Sequence, residues 1–175
     1  GTVEQMIDGN GYGMNWAGRY DPELIEHFGR GRFAHADELS ETVKLVALGG
    51  RYSIDRYQGR HYAMARELAW QLRAAYDAAL ADVDVLVMPT VPYVAKSLPT
   101  PEVSREEYLF LALSMLGNTA TFDVTGHPAI SVPVAPVGGL PVGMMIVGKR
   151  FDDGTCLRVA GGYEDADGGF PTAPG

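Results

Sequence analysis

Asp84-Val85-Leu86-Val87-Met88-Pro89-Thr90-Val91-Pro92 is the stretch on which the fold turns. Residues 83–88 form a short β-branched run with prolines directly behind it. Such a run suits a strand buried on both faces of an α/β sheet, and proline, which cannot donate to a ladder, ends it. Upstream, Met64, Ala65, Leu68, Leu72, Ala75, Tyr76 and Ala79 recur at helical spacing, with Arg66, Glu67 and Arg73 off the stripe. This predicts a helix over residues 60–81 packed on the sheet. Downstream, Pro99 and Pro101 mark a loop, and Ser104-Arg105-Glu106-Glu107 reads as a capping box opening a helix that stops at Gly117. Residues 129–134 and 142–147 read as two more strands around Gly138-Gly139, and Pro133 marks the first as an edge or bulged strand. Helix, strand, helix, strands, helix is the order of an α/β protein. The three strands should share one sheet, with the helices at 60–81 and 105–116 against it.

Outward from this centre the signals weaken. Residues 1–36 are rich in glycine and aromatics without a period, and read as irregular chain on the pocket side, with a short helix over residues 21–27. Gly9-Asn10-Gly11-Tyr12-Gly13 lacks the spacing of a phosphate loop. From residue 37 the pattern turns helical, with Asp37 as cap, Leu39, Val43, Val46 and Ala47 on one face, and Gly49-Gly50 as the expected end. Residues 118–128 read as irregular and polar. A last helix starts near Asp153 and runs through Leu157, Val159, Ala160 and Tyr163, although Gly161-Gly162 costs it roughly 1–2 kcal/mol. Residues 166–175 read as a flexible tail. The chain thus divides into a segment 1–36, a main portion 37–165 and the tail. Three strands among four helices leave apolar faces that call for more sheet.

Composition narrows the function classes. The 175 residues carry 22 acids against 14 bases, a net charge of -8, and 46% hydrophobic residues. The bases form no stripe, which argues against a nucleic-acid partner. No apolar run approaches the ~20 residues of a membrane span, and no secretory signal is visible. The first residues, Gly1-Thr2-Val3, lack a methionine, as expected of a tag scar, a processed end or a start within a longer protein. One cysteine, Cys156, excludes an intrachain disulfide and fits a reducing cytoplasm. It reads as a small structural thiol.

No local catalytic template fits. Ser40, Ser53, Ser97, Ser104, Ser114 and Ser131 are never adjacent, and no nucleophile elbow is present. His27, His35, His61 and His127 are isolated, and no Cys/His cluster suggests a metal. His127, between Gly126 and Pro128, reads as a structural residue of its turn. No cofactor motif is found.

Three blocks carry a resemblance. Residues 84–92 resemble the D-x-L-x-x-P-T-x-P strand of the amidase signature family. Asn118-Thr119-Ala120-Thr121-Phe122-Asp123-Val124-Thr125-Gly126-His127-Pro128-Ala129-Ile130-Ser131-Val132-Pro133 is similar to its N…G-x-P-A-x-S-x-P segment. Gly139-Leu140-Pro141-Val142-Gly143 through Gly148 is similar to the G-L-P-x-G strand that follows. The blocks stand in the family's order, strongest over 84–165. The resemblance implies part of a mixed central sheet flanked by helices, and a parent enzyme that cleaves a small carboxylic amide to acid and ammonia. Residues 1–90 look most like the branch acting on aliphatic and aromatic amides.

In that family a lysine deprotonates a bridging serine, which activates a nucleophilic serine, and backbone N–H groups hold the oxyanion. No residue here matches those positions. Lys44, Lys96 and Lys149 sit in other surroundings, so the catalytic set is expected in a missing N-terminal half of the same fold. What the resemblance carries over is a substrate wall. Val124 stands where the family has an apolar wall at the acyl group. Asp123 stands at a polar position, where substrate contact and bonding to the loop's own backbone are both open. Phe122 can line the pocket or fill the core. Trp16 can wall a pocket or pack over the core. The alternative is a non-catalytic amidase-like subunit or assembly module. A homo-oligomer is compatible with either.

Overall fold

The computed structural model describes residues 6–12 and 17–170. The chain forms two compact units, divided between Arg66 and Glu67. This is well downstream of the compositional change at residue 37.

In the first unit, helix α1 (Pro22–Ala34) replaces most of the irregular chain expected up to residue 36. Asp21 starts it: one carboxylate oxygen accepts from the Glu23 and Leu24 amides at 3.0 and 3.1 Å, and Pro22 fills the first turn. Gly29 lies buried within it, because a Cβ there would stand 2.8 Å from the Asn10 amide. Helix α2 (Glu41–Tyr57) is capped by Ser40, not Asp37, which precedes it in a 3-10 turn (Ala36–Glu38). Gly49-Gly50 does not end α2. Two interior glycines cost roughly 2 kcal/mol against alanine, and the helix continues to Gln58, whose left-handed backbone (φ 52°) terminates it. Arg51 supports that last stretch, pairing with Asp55 at 3.0 Å and reaching Asp8 at 3.1 Å.

Helix α3 (Arg60–Ala79) runs across the division in the sequence. The second unit then holds β1 (Val85–Pro89), α4 (Arg105–Ser114), α5 (Ala120–Thr125), β2 (Ala129–Val137), β3 (Leu140–Gly148) and α6 (Asp153–Asp167). The three strands form one antiparallel sheet in the order β1-β3-β2. The hairpin between β2 and β3 turns on Gly138 and Gly139, both at positive φ, the conformation a tight two-residue turn demands. Pro133 is tolerated because β2 is an edge strand.

Strand alternation sends side chains to two faces. One face buries Met145 and Val147 with Phe122 of α5, and Tyr76, Leu86 and Met88 pack around them. The other buries Ile146 and Val132 against Ala160 of α6, with Val85, Ile130, Val159 and Tyr163 around. Ile146 and Val147 are fully buried, each stabilising the fold by about 1.5–3 kcal/mol. The middle strand β3 is thus covered on both faces, whereas β1, expected as a buried strand, lies at the sheet edge with no buried residue and Val87 exposed. Two further expectations fail here. Helix α4 contributes no residue to either cluster. Along α3, Met64, Leu68 and Leu72 remain exposed, and its packing on the sheet rests on Tyr76. Among the described residues no helix is long and apolar enough to cross a membrane.

Candidate functional site

The three sequence blocks meet in space. Thr90, just past β1, donates its amide to Gly143 O on β3 at 2.8 Å. Its hydroxyl lies 2.6 Å from Ser131 Oγ on β2. Ser131 pairs with Met145, and Pro133 with Gly143, so all these side chains stand on the Phe122 face of the sheet. Gly143 makes the meeting possible: a Cβ there would lie 2.7 Å from Ser131 Oγ and 2.8 Å from Thr90 Oγ1. Asn118 adds a fourth tie, donating from Nδ2 to Pro89 O at 2.7 Å. Residues that look like a signature in the sequence therefore join the strand ends through hydroxyls and amides. The two hydroxyls bond each other, and among the described residues neither is bonded to a side-chain acid or base.

Residues 118–128 contain the short helix α5 where irregular chain was expected. Gly126 ends it at φ 75°, its amide returning to Phe122 O at 2.8 Å. Of the two roles open to Phe122, it takes the core: it is 5% exposed, and its ring stands edge-on to Tyr76 at 5.2 Å. Asp123 and Val124 point the other way. Val124 is 48% exposed, and Asp123 is exposed beside it, so neither side chain is core packing. Trp16 lies outside the described residues.

His127 follows in the same turn and is buried. Its Nδ1 lies 2.9 Å from Thr125 Oγ1, while Nε2 faces Asp77 Oδ1 at 3.4 Å, too long for a well-formed hydrogen bond. Burial pushes the imidazole below its ordinary pKa, against the pull of the Asp77 carboxylate. Asp77 itself is held below the usual carboxylate range by Arg150, which donates Nε and Nη2 to its two oxygens at 3.1 and 3.3 Å. Arg73, one turn earlier on α3, donates Nε to Thr125 O at 2.8 Å. This network ties the turn to α3 and holds His127 within it. It was not visible in the sequence, where Arg73 and Asp77 carry no motif. Cys156 is also structural: it is buried, points at Pro128 O at 3.7 Å, and fills the space above Gly148. Burial, with Asp153 and Asp152 nearby, raises its thiol pKa. Among the described residues no group of three or more His, Cys, Asp or Glu is placed to hold a metal ion.

A family model described as Amidase matches residues 29–157. An enantioselective amidase from Rhodococcus rhodochrous is 55% identical over 175 residues, covering 99% of this chain and 34% of that protein. A Rhodococcus erythropolis protein, described as an uncharacterized protein in the nthA 5' region, is 58% identical over 172 residues. That match covers 98% of this chain and 86% of the relative. The solved structure of 6-aminohexanoate cyclic dimer hydrolase complexed with substrate superposes with a TM-score of 0.60 at 26% identity, over 94% of this chain and 32% of that one. The chain spans about a third of the length of the enantioselective amidase and of the hydrolase.

Proposed function

The chain belongs to the amidase family, and we propose that it forms the C-terminal portion of an enzyme that hydrolyses a small carboxylic amide to acid and ammonia. In this reading it supplies part of the central sheet and an acyl-side wall, Val124 with Asp123. The serine–serine–lysine set that carries the chemistry lies in a segment not matched here. The observation that carries the reading is the convergence of Thr90, Ser131, Gly143 and Asn118, through which all three family-like blocks hold one sheet together. Exposed apolar side chains support it. Trp70, Val87 and Phe110 are each more than half exposed, and such surface calls for a cover. We assign that cover to the rest of the amidase fold. The buried single thiol fits a reducing cytoplasm.

The test joins this chain to the remaining N-terminal portion of the enantioselective amidase, in place of the matched third. The chimera should hydrolyse acetamide or benzamide, and the 175-residue chain alone should not. Turnover by the chain alone that disappears on mutating one of its own residues would overturn the division of labour. A folded chimera with no turnover would overturn the assignment of the wall.

A second reading, a non-catalytic amidase-like subunit, is favoured by one observation: the R. erythropolis relative has nearly this chain's extent. Coding sequence upstream of Gly1 separates the two. A lysine followed by a serine- and glycine-rich stretch supports the enzyme, and its absence supports the subunit.

A further inference from the structure

We propose that the groove between residues 91–99 and α4 binds a small carboxylate with an apolar tail. A cavity of about 470 Å³ lies there, walled by Val91, Val94, Leu111, Ala112 and Met115. That volume suits one small molecule rather than a polypeptide. Its polar end carries Lys96 and Tyr93, both tied to Ser114 of α4 behind the lining. Lys96 Nζ donates to Ser114 Oγ at 2.9 Å, Tyr93 Oη lies 2.7 Å from the same oxygen, and Ser114 donates to Leu111 O at 3.2 Å. The ammonium is further fixed by aromatic faces, 4.0 Å from the Tyr93 ring centre and 4.9 Å from that of Phe110.

Two features choose the ligand. Lys96 forms no ion pair among the described residues, and its bond to Ser114 occupies only one of its three donor hydrogens. The cavity lining carries no acidic side chain. Glu102 and Glu107 line a neighbouring hollow that shares Lys96, so they limit affinity without occupying the site. A cation at the end of an apolar pocket complements a monocarboxylate whose tail fills the walls. The same bonds exclude a nucleophilic serine. The Ser114 proton is directed to Leu111 O and the amine donates to its oxygen, the reverse of what deprotonation requires.

The probe is benzoate, with benzamide as its neutral isostere, titrated into the 175-residue chain and followed by heteronuclear NMR. Benzoate should shift the resonances of Val94, Leu111 and Met115, and benzamide should bind at least about tenfold more weakly. Lys96→Met should weaken benzoate about tenfold or more, Lys96→Arg should retain it, and Lys149→Met should leave it unchanged. Equal affinity for benzoate and benzamide, unaltered binding in Lys96→Met, or no shift at those three residues up to the solubility limit would each overturn the proposal. Retention by Lys96→Arg guards against a Lys96→Met variant that loses binding by misfolding.

Discussion

Replacing Gly143 with alanine tests whether the sheet depends on the meeting of Thr90 and Ser131. The Gly143 backbone is not in the left-handed region, so the cost of a side chain there is steric. Its Cβ would fall 2.7 Å from Ser131 Oγ and 2.8 Å from Thr90 Oγ1, closer than nonbonded atoms sit, with Thr90 Cβ at 3.3 Å behind them. Relief requires the two hydroxyls to part, which breaks their 2.6 Å hydrogen bond. Overpacking costs about 1–3 kcal/mol and the lost bond about 1 kcal/mol, so Gly143→Ala should destabilise the second unit by about 2–4 kcal/mol. Native-state hydrogen exchange at the Ile146 and Val147 amides reads this locally, and protection should fall roughly 30- to 900-fold. Removing both hydroxyls, as Thr90→Ala with Ser131→Ala, eliminates the two shortest contacts. In that background the nearest remaining contact is the Cβ of residue 90 at 3.3 Å, and the methyl should cost less than about 1 kcal/mol. Equal cost in both backgrounds would refute the reasoning, as would wild-type protection in Gly143→Ala.

The remaining predictions concern the turn and the wall. His127 is depressed by burial, so the unfolded chain takes up a proton below pH about 6.5 that the fold resists, and stability should decline as pH falls from there. His127→Gln should flatten that slope in urea midpoints taken at pH 7 and 5; an unchanged slope counts against it. Asp77 is depressed by Arg150, so its contribution is present above pH about 3.8 and lost as pH falls through the native value. Asp77→Asn should therefore destabilise at pH 7 and cost progressively less in acid, and a pH-independent cost would show that shape, not charge, matters. In the amidase chimera, Val124→Ala should raise the benzamide-to-acetamide ratio of kcat/KM roughly tenfold or more, since apolar walls discriminate at about 1–3 kcal/mol per methylene. An unchanged ratio removes Val124 from the pocket, and an equal loss on both substrates points to damage of α5.

The strands were legible because their limits are chemical. Pro89 ends β1, and Gly138-Gly139 supply the positive φ that joins β2 to β3. Helix ends were harder to read. Gly49-Gly50 looks like a stop because glycine weakens a helix locally, yet the helix runs through them from the Ser40 cap to the left-handed Gln58. Helix α5 escaped for the opposite reason. Its six residues include two threonines, a valine and an aspartate, all of low helical preference, and tertiary anchoring overrides it. Arg73 and Asp77 sit four apart on α3, a spacing that reads as an ordinary solvent-face pair. In the fold each reaches away from the other, to Thr125 O and to Arg150. No period in the sequence announces such long-range choices.

The candidate wall follows from the same anchoring. A helix turns by about 100° per residue, so a side chain fixed in the core dictates where the next two point. Phe122 is held by Met145, Val147 and Tyr76, and Gly126 with the Thr125–His127 turn fixes the other end of α5. Between these restraints Asp123 and Val124 have no route to the interior, and their exposure is imposed rather than incidental. A carboxylate and a branched apolar group are thereby presented side by side on a rigid turn. The Arg73 and Asp77 contacts, which touch neither residue, hold the turn beneath the proposed wall. Sequence alone marked these two positions through resemblance. Their outward direction is a consequence of the core.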